Sequence, residues 1–282
     1  MVEGAFEARL ALDDEAMFAG HYPGAPIFPG TFLVEAVFQA ASTALGGGVC
    51  LNELVACRFH SPLLPGDELF AHFTLKEVGA GAALVEVTVS GRAQAAELTM
   101  LVAAGANSGA AVSPPQAGTS VRALDASFIH RALPHRQPAL LVDSALAFDA
   151  PDMRTTLFAR RSITGNEPCY AGAGGLSIGS FPASLIAESF CQSCGLLRAA
   201  TGIADEPRDE TRVPVVAKLA GLRFFGDAVP GDLLEHHVRL VVGTGDGAVF
   251  SGRTLVAGRL VMHAARVVAS LAPIPSLRTA GP

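Results

Sequence analysis

Residues 18–39 read FAGHYPGAPIFPGTFLVEAVFQ. A strongly apolar run carries one histidine, His21, and one carboxylate, Glu35, with two Pro-Gly steps between them. Burying either ionisable group is costly unless it is paired or neutral. Pro29-Gly30 opens a nearly all-apolar stretch, Thr31 to Leu45, which ends at Gly46-Gly47-Gly48. Proline at the start and glycine past the end mark a helix, and apolar residues all round it predict a buried one.

The same pattern recurs downstream. Glu188 and Gln192 in ASLIAESFCQSC repeat Glu35 and Gln39, 153 positions on, behind Pro182. Arg58-Phe59 and Arg223-Phe224 are each followed by five residues and then Pro-Gly-Asp, 165 positions apart. The polar stretch Gly202 to Arg212 is the natural place for the twelve extra residues. Two blocks in the same order indicate a duplicated domain. Each helix precedes four strand-like runs, NELVACRF, DELFAHFTLKEV, ALVEVTVSG and AAELTMLVAA in the first copy. The fold class is therefore α+β, with an antiparallel sheet wrapped around a central buried helix in each copy. The boundaries read 1–106 for the first domain, a Gly/Ala/Ser/Pro-rich linker at 107–120, and 121–282 for the second.

Composition bounds the function. The 282 residues are 50% hydrophobic and 16% charged, with net charge −6. That is enough apolar material for a sizeable core, and it argues against disorder. The acidic balance, no Trp and only two Tyr argue against a nucleic-acid partner. No apolar run is long enough to span a membrane. The N-terminal MVEGAFEARLALDDEAM lacks a signal-peptide layout, so the expectation is a cytoplasmic protein. Five cysteines form no disulfide framework, and Cys191 and Cys194 lie in an apolar helical pattern as core or pocket-lining residues. No cluster with metal-ligand spacing stands out, so neither a metal nor an organic cofactor is expected. His236 and His237 are adjacent on a strand and point to opposite faces.

The first-copy motif resembles the signature of the FabZ-type 3-hydroxyacyl-[acyl-carrier-protein] dehydratases, which have the hotdog fold. The shared positions are Gly20-His21, Pro23, Pro26, Pro29-Gly30, Glu35 and Gln39, with RFHSPLLPGD downstream. In the second copy LPHRQPALLVDSALAFD, residues 133–149, is similar to the family's N-terminal segment. NEPCYAG, residues 166–172, resembles the run before its catalytic histidine. There the chain departs from the pattern: Ala173 stands where the family has histidine, and the loop after it is one residue longer.

The resemblance implies a double hotdog that removes water from a 3-hydroxyacyl group. The acyl chain would be carried on the phosphopantetheine arm of an acyl carrier protein, in fatty acid or polyketide synthesis. It also implies sites shared between copies. His21 would act as base with Glu188 as acid, while Glu35 would face Ala173 in a degenerate second site. Imidazole titrates near neutrality, and a carboxyl desolvated on an apolar helix is expected to have its pKa raised and hold a proton. The thioester oxygen needs an N–H donor at a helix start, at Ala183 or at Gly30, and Gln192 could orient the Glu188 carboxyl. His135-Arg136 reads as structural, with Arg136 a candidate contact for an acidic carrier. The rival readings are a hotdog acyl thioesterase and a non-catalytic acyl-binding scaffold. Because the fusion supplies both halves of a dimer, a monomer would suffice, and a homodimer stays open.

Overall fold

A computed structural model describes residues 4–12, 15–79, 81–112, 120–149, 156–170, 179–201 and 211–274. Both expected helices form, as α1 (Gly30–Ala44) and α3 (Ala183–Ala200). Pro29 and Pro182 stand at their N-caps, and each carbonyl accepts the first helical bond, from Leu33 and Ile186. The strand runs become β2 (Cys50–Phe59), β3 (Glu68–Gly79), β4 (Ala82–Ser90) and β5 (Gln94–Ala103). In the second copy they become β9 (Arg212–Phe224), β10 (Leu233–Gly243), β11 (Gly247–Val256) and β12 (Arg259–Pro273). Alternation does what it should: on β3, Leu69, Ala71, Phe73 and Leu75 point into the core while their neighbours face out.

The repeat is visible atom by atom in the Pro-Gly-Asp turns. The Asp67 carboxylate accepts the Leu64 N–H at 2.8 Å, and Asp232 accepts the Val229 N–H at 2.9 Å. Gly66 and Gly231 take the positive φ that such a turn requires, +82° and +98°. Each turn then exchanges a pair of backbone bonds with one distant residue, Leu12 in the first copy and Ile163 in the second.

The edge elements are what the periodicity did not reveal. The first copy adds β1 (Gly4–Ala11), which pairs with β3. The second adds β6 (Ser120–Leu124), α2 (Ala126–Ala132), β7 (Ser144–Asp149) and β8 (Thr156–Ser162). β8 pairs with β10 as β1 pairs with β3, so β6, α2 and β7 have no described counterpart in the first copy. The twelve strands among the described residues form one antiparallel sheet, ordered β1-β3-β4-β5-β2-β9-β12-β11-β10-β8-β7-β6. The copies join at β2 and β9, where Glu53 lies opposite Arg223 and the pair is bridged at 3.1 Å. The stretch read as a linker is described only in part. Its first residues dock on the second copy: Val112 donates to the Gly258 carbonyl, and the Asn107 amide donates to the Phe224 carbonyl.

The buried-helix expectation holds for α3 and needs correction for α1. α3 is buried over most of its length, Glu188, Ser189 and Gln192 included. On α1, Leu33, Val34, Val37 and Ala41 are buried, but Glu35 is half-buried and Gln39 is exposed. The reason is cover. The chain from Leu133 to Val142 lies over α3, and no described segment does the same for α1. One connected hydrophobic core runs through both copies, from Leu33, Phe73 and Met100 to Phe190, Leu197 and Phe250.

Candidate active site

The starts of the two helices meet, and each reaches across to the other's carboxylate. The Thr31 hydroxyl on α1 donates to Glu188 Oε2 at 2.8 Å. The Ser184 hydroxyl on α3 donates to Glu35 Oε2 at 2.7 Å. These reciprocal bonds give two candidate sites, one on each side of a pseudo-twofold axis.

Around Glu188 the groups converge. His21, His135 and Glu188 are all buried, and one donor atom from each lies within 4.8 Å of the other two. The structure thus brings the first-copy histidine to the second-copy carboxylate. His135 Nε2 approaches Glu188 Oε1 at 3.4 Å, and the His21 and His135 rings pack edge to face with centroids 5.1 Å apart. Gln192, one turn along α3, donates to Glu188 Oε1 at 3.0 Å and to the Ala139 carbonyl at 2.8 Å. Its oxygen accepts the Leu141 N–H. The same residue therefore orients the carboxyl and pins the segment that carries His135. The reading of His135 as merely structural is corrected here: it belongs to the site. Arg136 instead folds back, donating to the Leu133 and His135 carbonyls.

His21 Nδ1 lies 2.8 Å from the Ile27 carbonyl, so Nδ1 carries the hydrogen and Nε2 is the basic nitrogen of the neutral ring. Burial, reinforced by the nearby His135 imidazole, pulls His21 down to about 4. For Glu188 the expected upward shift does not win. Burial does push the carboxyl up, but His135, His21 and Gln192 overcome it and hold the group at about 2. The free site pairs a neutral His21 with an ionised Glu188.

These groups line a cavity of about 440 Å³ with His21, Gly30, Thr31 and Glu188 around the polar region and Cys191 and Gly195 along α3. Gly30 opens α1, and the Gly30 and Thr31 N–H groups have no helical carbonyl before them. Ala183 is not among the lining residues; its neighbour Ser184 faces Glu35 instead. Of the two expected N–H donors, Gly30 is the one at this cavity. Cys191 and Cys194 are unbonded, and burial raises both thiols. The two histidines and Glu188 are chemically able to hold a divalent ion, although the carboxylate is already engaged by Thr31, Gln192 and His135.

On the other side, Glu35 is bonded by Ser184 and by Gln39 at 2.7 Å. Ala173, its expected neighbour, lies outside the described residues. His236 serves α3 differently, bonded to Ser189 and Thr254, both at 2.8 Å, while His237 packs on Phe158 on the other face. No helix among the described residues is long and apolar enough to cross a membrane.

Comparison with known proteins agrees with this architecture. The ApeI-like dehydratase family model matches residues 3–96. The 3-hydroxyacyl-[acyl-carrier-protein] dehydratase FabZ of Anaeromyxobacter sp. (strain Fw109-5) is 37% identical over 146 residues, 51% of this chain and 89% of that protein. FabZ of Shewanella loihica is 34% identical over 141 residues, 50% of this chain and 88% of its own. Among solved structures, the dehydratase domain of RzxB from Pseudomonas fluorescens superposes with TM-score 0.65 at 15% identity, covering 94% of both chains. The PpsC dehydratase domain from Mycobacterium tuberculosis in complex with C12:1-CoA gives 0.63 at 17%, covering 95% of this chain and 94% of that one. The bifunctional dehydratase-cyclase domain of ambruticin biosynthesis gives 0.60 at 20%, covering 97% and 92%. The chain belongs to the FabZ-type 3-hydroxyacyl-[acyl-carrier-protein] dehydratase family, in a double-hotdog form.

Proposed function

We propose that the chain is a hydro-lyase that converts a 3-hydroxyacyl thioester on an acyl carrier protein into the 2-enoyl thioester, at one working site formed by both copies. The observation that carries this reading is the meeting of His21, Glu188 and the Gly30 N–H at one mainly apolar cavity. The neutral His21 Nε2 takes the proton from the carbon alpha to the thioester. The negative charge that develops on the carbonyl oxygen is met by the Gly30 N–H and the positive end of α1. The 3-hydroxyl leaves toward Glu188, and the proton that makes it water is delivered through that carboxyl. Fatty acid or polyketide assembly is the setting. Because one chain carries both halves of the site, a monomer is sufficient.

The test is to give the purified chain a 3-hydroxyacyl carrier protein and follow the acyl mass. Loss of one water is expected. His21→Ala and Glu188→Gln should each lower the rate roughly 10²- to 10⁴-fold, the range for a general base or acid. Glu35→Gln should leave it within about threefold, since Glu35 does not line the cavity that holds His21 and Glu188. Loss of activity in Glu35→Gln with retention in Glu188→Gln would reverse the assignment. Release of free acid would identify a thioesterase, and binding without turnover would identify a scaffold.

A further inference from the structure

Glu188 presents a difficulty as the acid: in the free site it is ionised, yet the departing hydroxyl needs a proton. All its oxygens face donors, from Thr31, Gln192 and His135, an arrangement suited to a carboxylate. Of those donors only His135 is an imidazole, the side chain suited to shuttling a proton. Its one fixed polar contact is Glu188, because Nδ1 is buried without a hydrogen-bond partner among the described residues.

The chain also takes trouble to place this ring. The Arg136 N–H donates to the Gly20 carbonyl at 2.7 Å, so the residues beside His135 and His21 are tied backbone to backbone. Gly20 has φ +74°, and a Cβ there would sit 2.1 Å from the Arg136 carbonyl oxygen. Only glycine lets the two histidine loops approach this closely. From the far side, Gln192 holds Ala139 and Leu141, and the Ser189 hydroxyl holds the Leu141 carbonyl.

We infer that His135 is the positioning residue for the acid, holding the catalytic proton beside Glu188 and passing it through that carboxyl to the leaving hydroxyl. This rests on the dehydratase reading above. The protons balance. Before the reaction His21 is neutral and the His135–Glu188 pair holds one proton. His21 gains the alpha proton, the carbon–oxygen bond breaks, and the pair loses its proton to the hydroxyl, forming water. The site then holds the same total, now on His21, and resets by return of that proton through the cavity.

The other titratable groups packed on the pair do not compete. Tyr22 packs against the His135 ring, and Cys191 follows Glu188 on α3; burial raises both, so they stay neutral. On β9, Pro214 offers only its carbonyl, to Tyr22. Arg136 is turned to its own loop.

The experiment is the pH–rate profile of His135→Gln, which keeps a donor but cannot release a proton, beside wild type. Without the imidazole the carboxyl has no second group with which to share the proton. The alkaline limb of kcat/KM should therefore move down by at least about one unit. Turnover at pH 8 should fall roughly 10²-fold while that at pH 5.5 stays within about threefold. Added imidazole should restore part of the alkaline activity of His135→Gly, with melting curves confirming that both variants are folded. An equal loss at every pH, an unshifted profile, or no response of His135→Gly to imidazole would overturn the proposal. If His21→Ala and Glu188→Gln remain active in the same assay, the dehydratase site itself has been misassigned, which is a separate failure.

Discussion

Glu188 and Glu35 stand at the same point of two repeated helices. Each accepts a bond from the glutamine four residues on and from a hydroxyl at the start of the other helix. What separates them is the chain laid over them. The Leu133–Val142 segment buries Glu188 and Gln192 and inserts His135, whereas Gln39 is exposed and Glu35 half-buried. A duplicated fold thus keeps its local hydrogen bonds in both copies while only one receives the surroundings that reactive groups need. A carboxylate in reach of solvent is screened by water, whereas a buried one feels its neighbours strongly.

The comparison extends along the helix face that lines the cavity. After Glu188 come Cys191, Gln192 and Gly195; the positions 153 earlier are Glu35, Phe38, Gln39 and Ser42. Small residues leave room on α3, and a bulky ring takes the corresponding place on α1. On the proposed site, Cys191→Phe should therefore make the α3 side resemble the α1 side by filling the space assigned to the acyl tail. Each excluded methylene forfeits about 0.8 kcal/mol, so losing four of them lowers kcat/KM for long chains roughly 10²-fold relative to a four-carbon substrate. A chain-length series checks it; an equal loss at all lengths would place the acyl tail elsewhere.

Next in size is the difference between the glutamines. Gln192→Ala strands the buried Leu141 N–H and Ala139 carbonyl, each costing on the order of 1–3 kcal/mol. Denaturant unfolding should show a loss of roughly 2–4 kcal/mol. Gln39→Ala removes one bond at the surface and should cost under about 0.5 kcal/mol. Equal losses would mean that the covering segment is not what distinguishes the two sides.

Much of this contrast was legible in the sequence, and the limits are physical. Proline at the start, glycine past the end and apolar residues all round marked both central helices, and partial alternation marked the four strands after each. The Pro-Gly-Asp spacing exposed the repeat, since a turn that needs positive φ leaves a fixed residue pattern. β1, β8, β7 and β6 lie toward the two ends of the sheet and α2 is a helix of seven residues; all five fall outside the repeated blocks that marked the rest. His135 was misread because its meaning depends on a partner 53 residues away, which only the folded chain supplies. The available signal was its setting, a histidine between Pro134 and the apolar run at Ala139–Val142, present in one copy and not the other. The charge state of Glu188 was hidden for the same reason: burial can be guessed from an apolar helix, but the opposing histidines arrive from two distant segments.

The hydroxyls that cross between the helices provide a finer probe. Thr31→Val keeps the shape and removes a donor from an ionised, buried carboxylate; a bond to a charged group is worth about 1.5–3 kcal/mol. Turnover should fall about tenfold or somewhat more. Ser184→Ala removes the matching bond to Glu35 and should leave turnover unchanged within about twofold. Steady-state kinetics on the pair gives the ratio directly, and similar losses would give Glu35 a share in the chemistry.

A different probe is a slope. His21 is buried neutral, with its pKa lowered from 6.5 to about 4 by desolvation and by His135. Between those values the unfolded chain binds a proton there and the folded chain does not, so acid favours unfolding. Its contribution is complete above pH 6.5 and is lost as the pH falls toward 4, at about 1.4 kcal/mol per pH unit. Glu188, lowered from 4.5 to about 2, contributes in a lower window, losing its stabilisation as the pH falls from 4.5 toward 2. His21→Gln keeps a donor for the Ile27 carbonyl and carries no titrating group. Denaturant titrations from pH 4.5 to 6.5 should therefore show a shallower decline for His21→Gln than for wild type, by up to one proton's worth. A variant that declines as steeply as wild type would mean that His21 is charged in the folded chain, and a charged imidazole could not serve as the base on this side of the molecule.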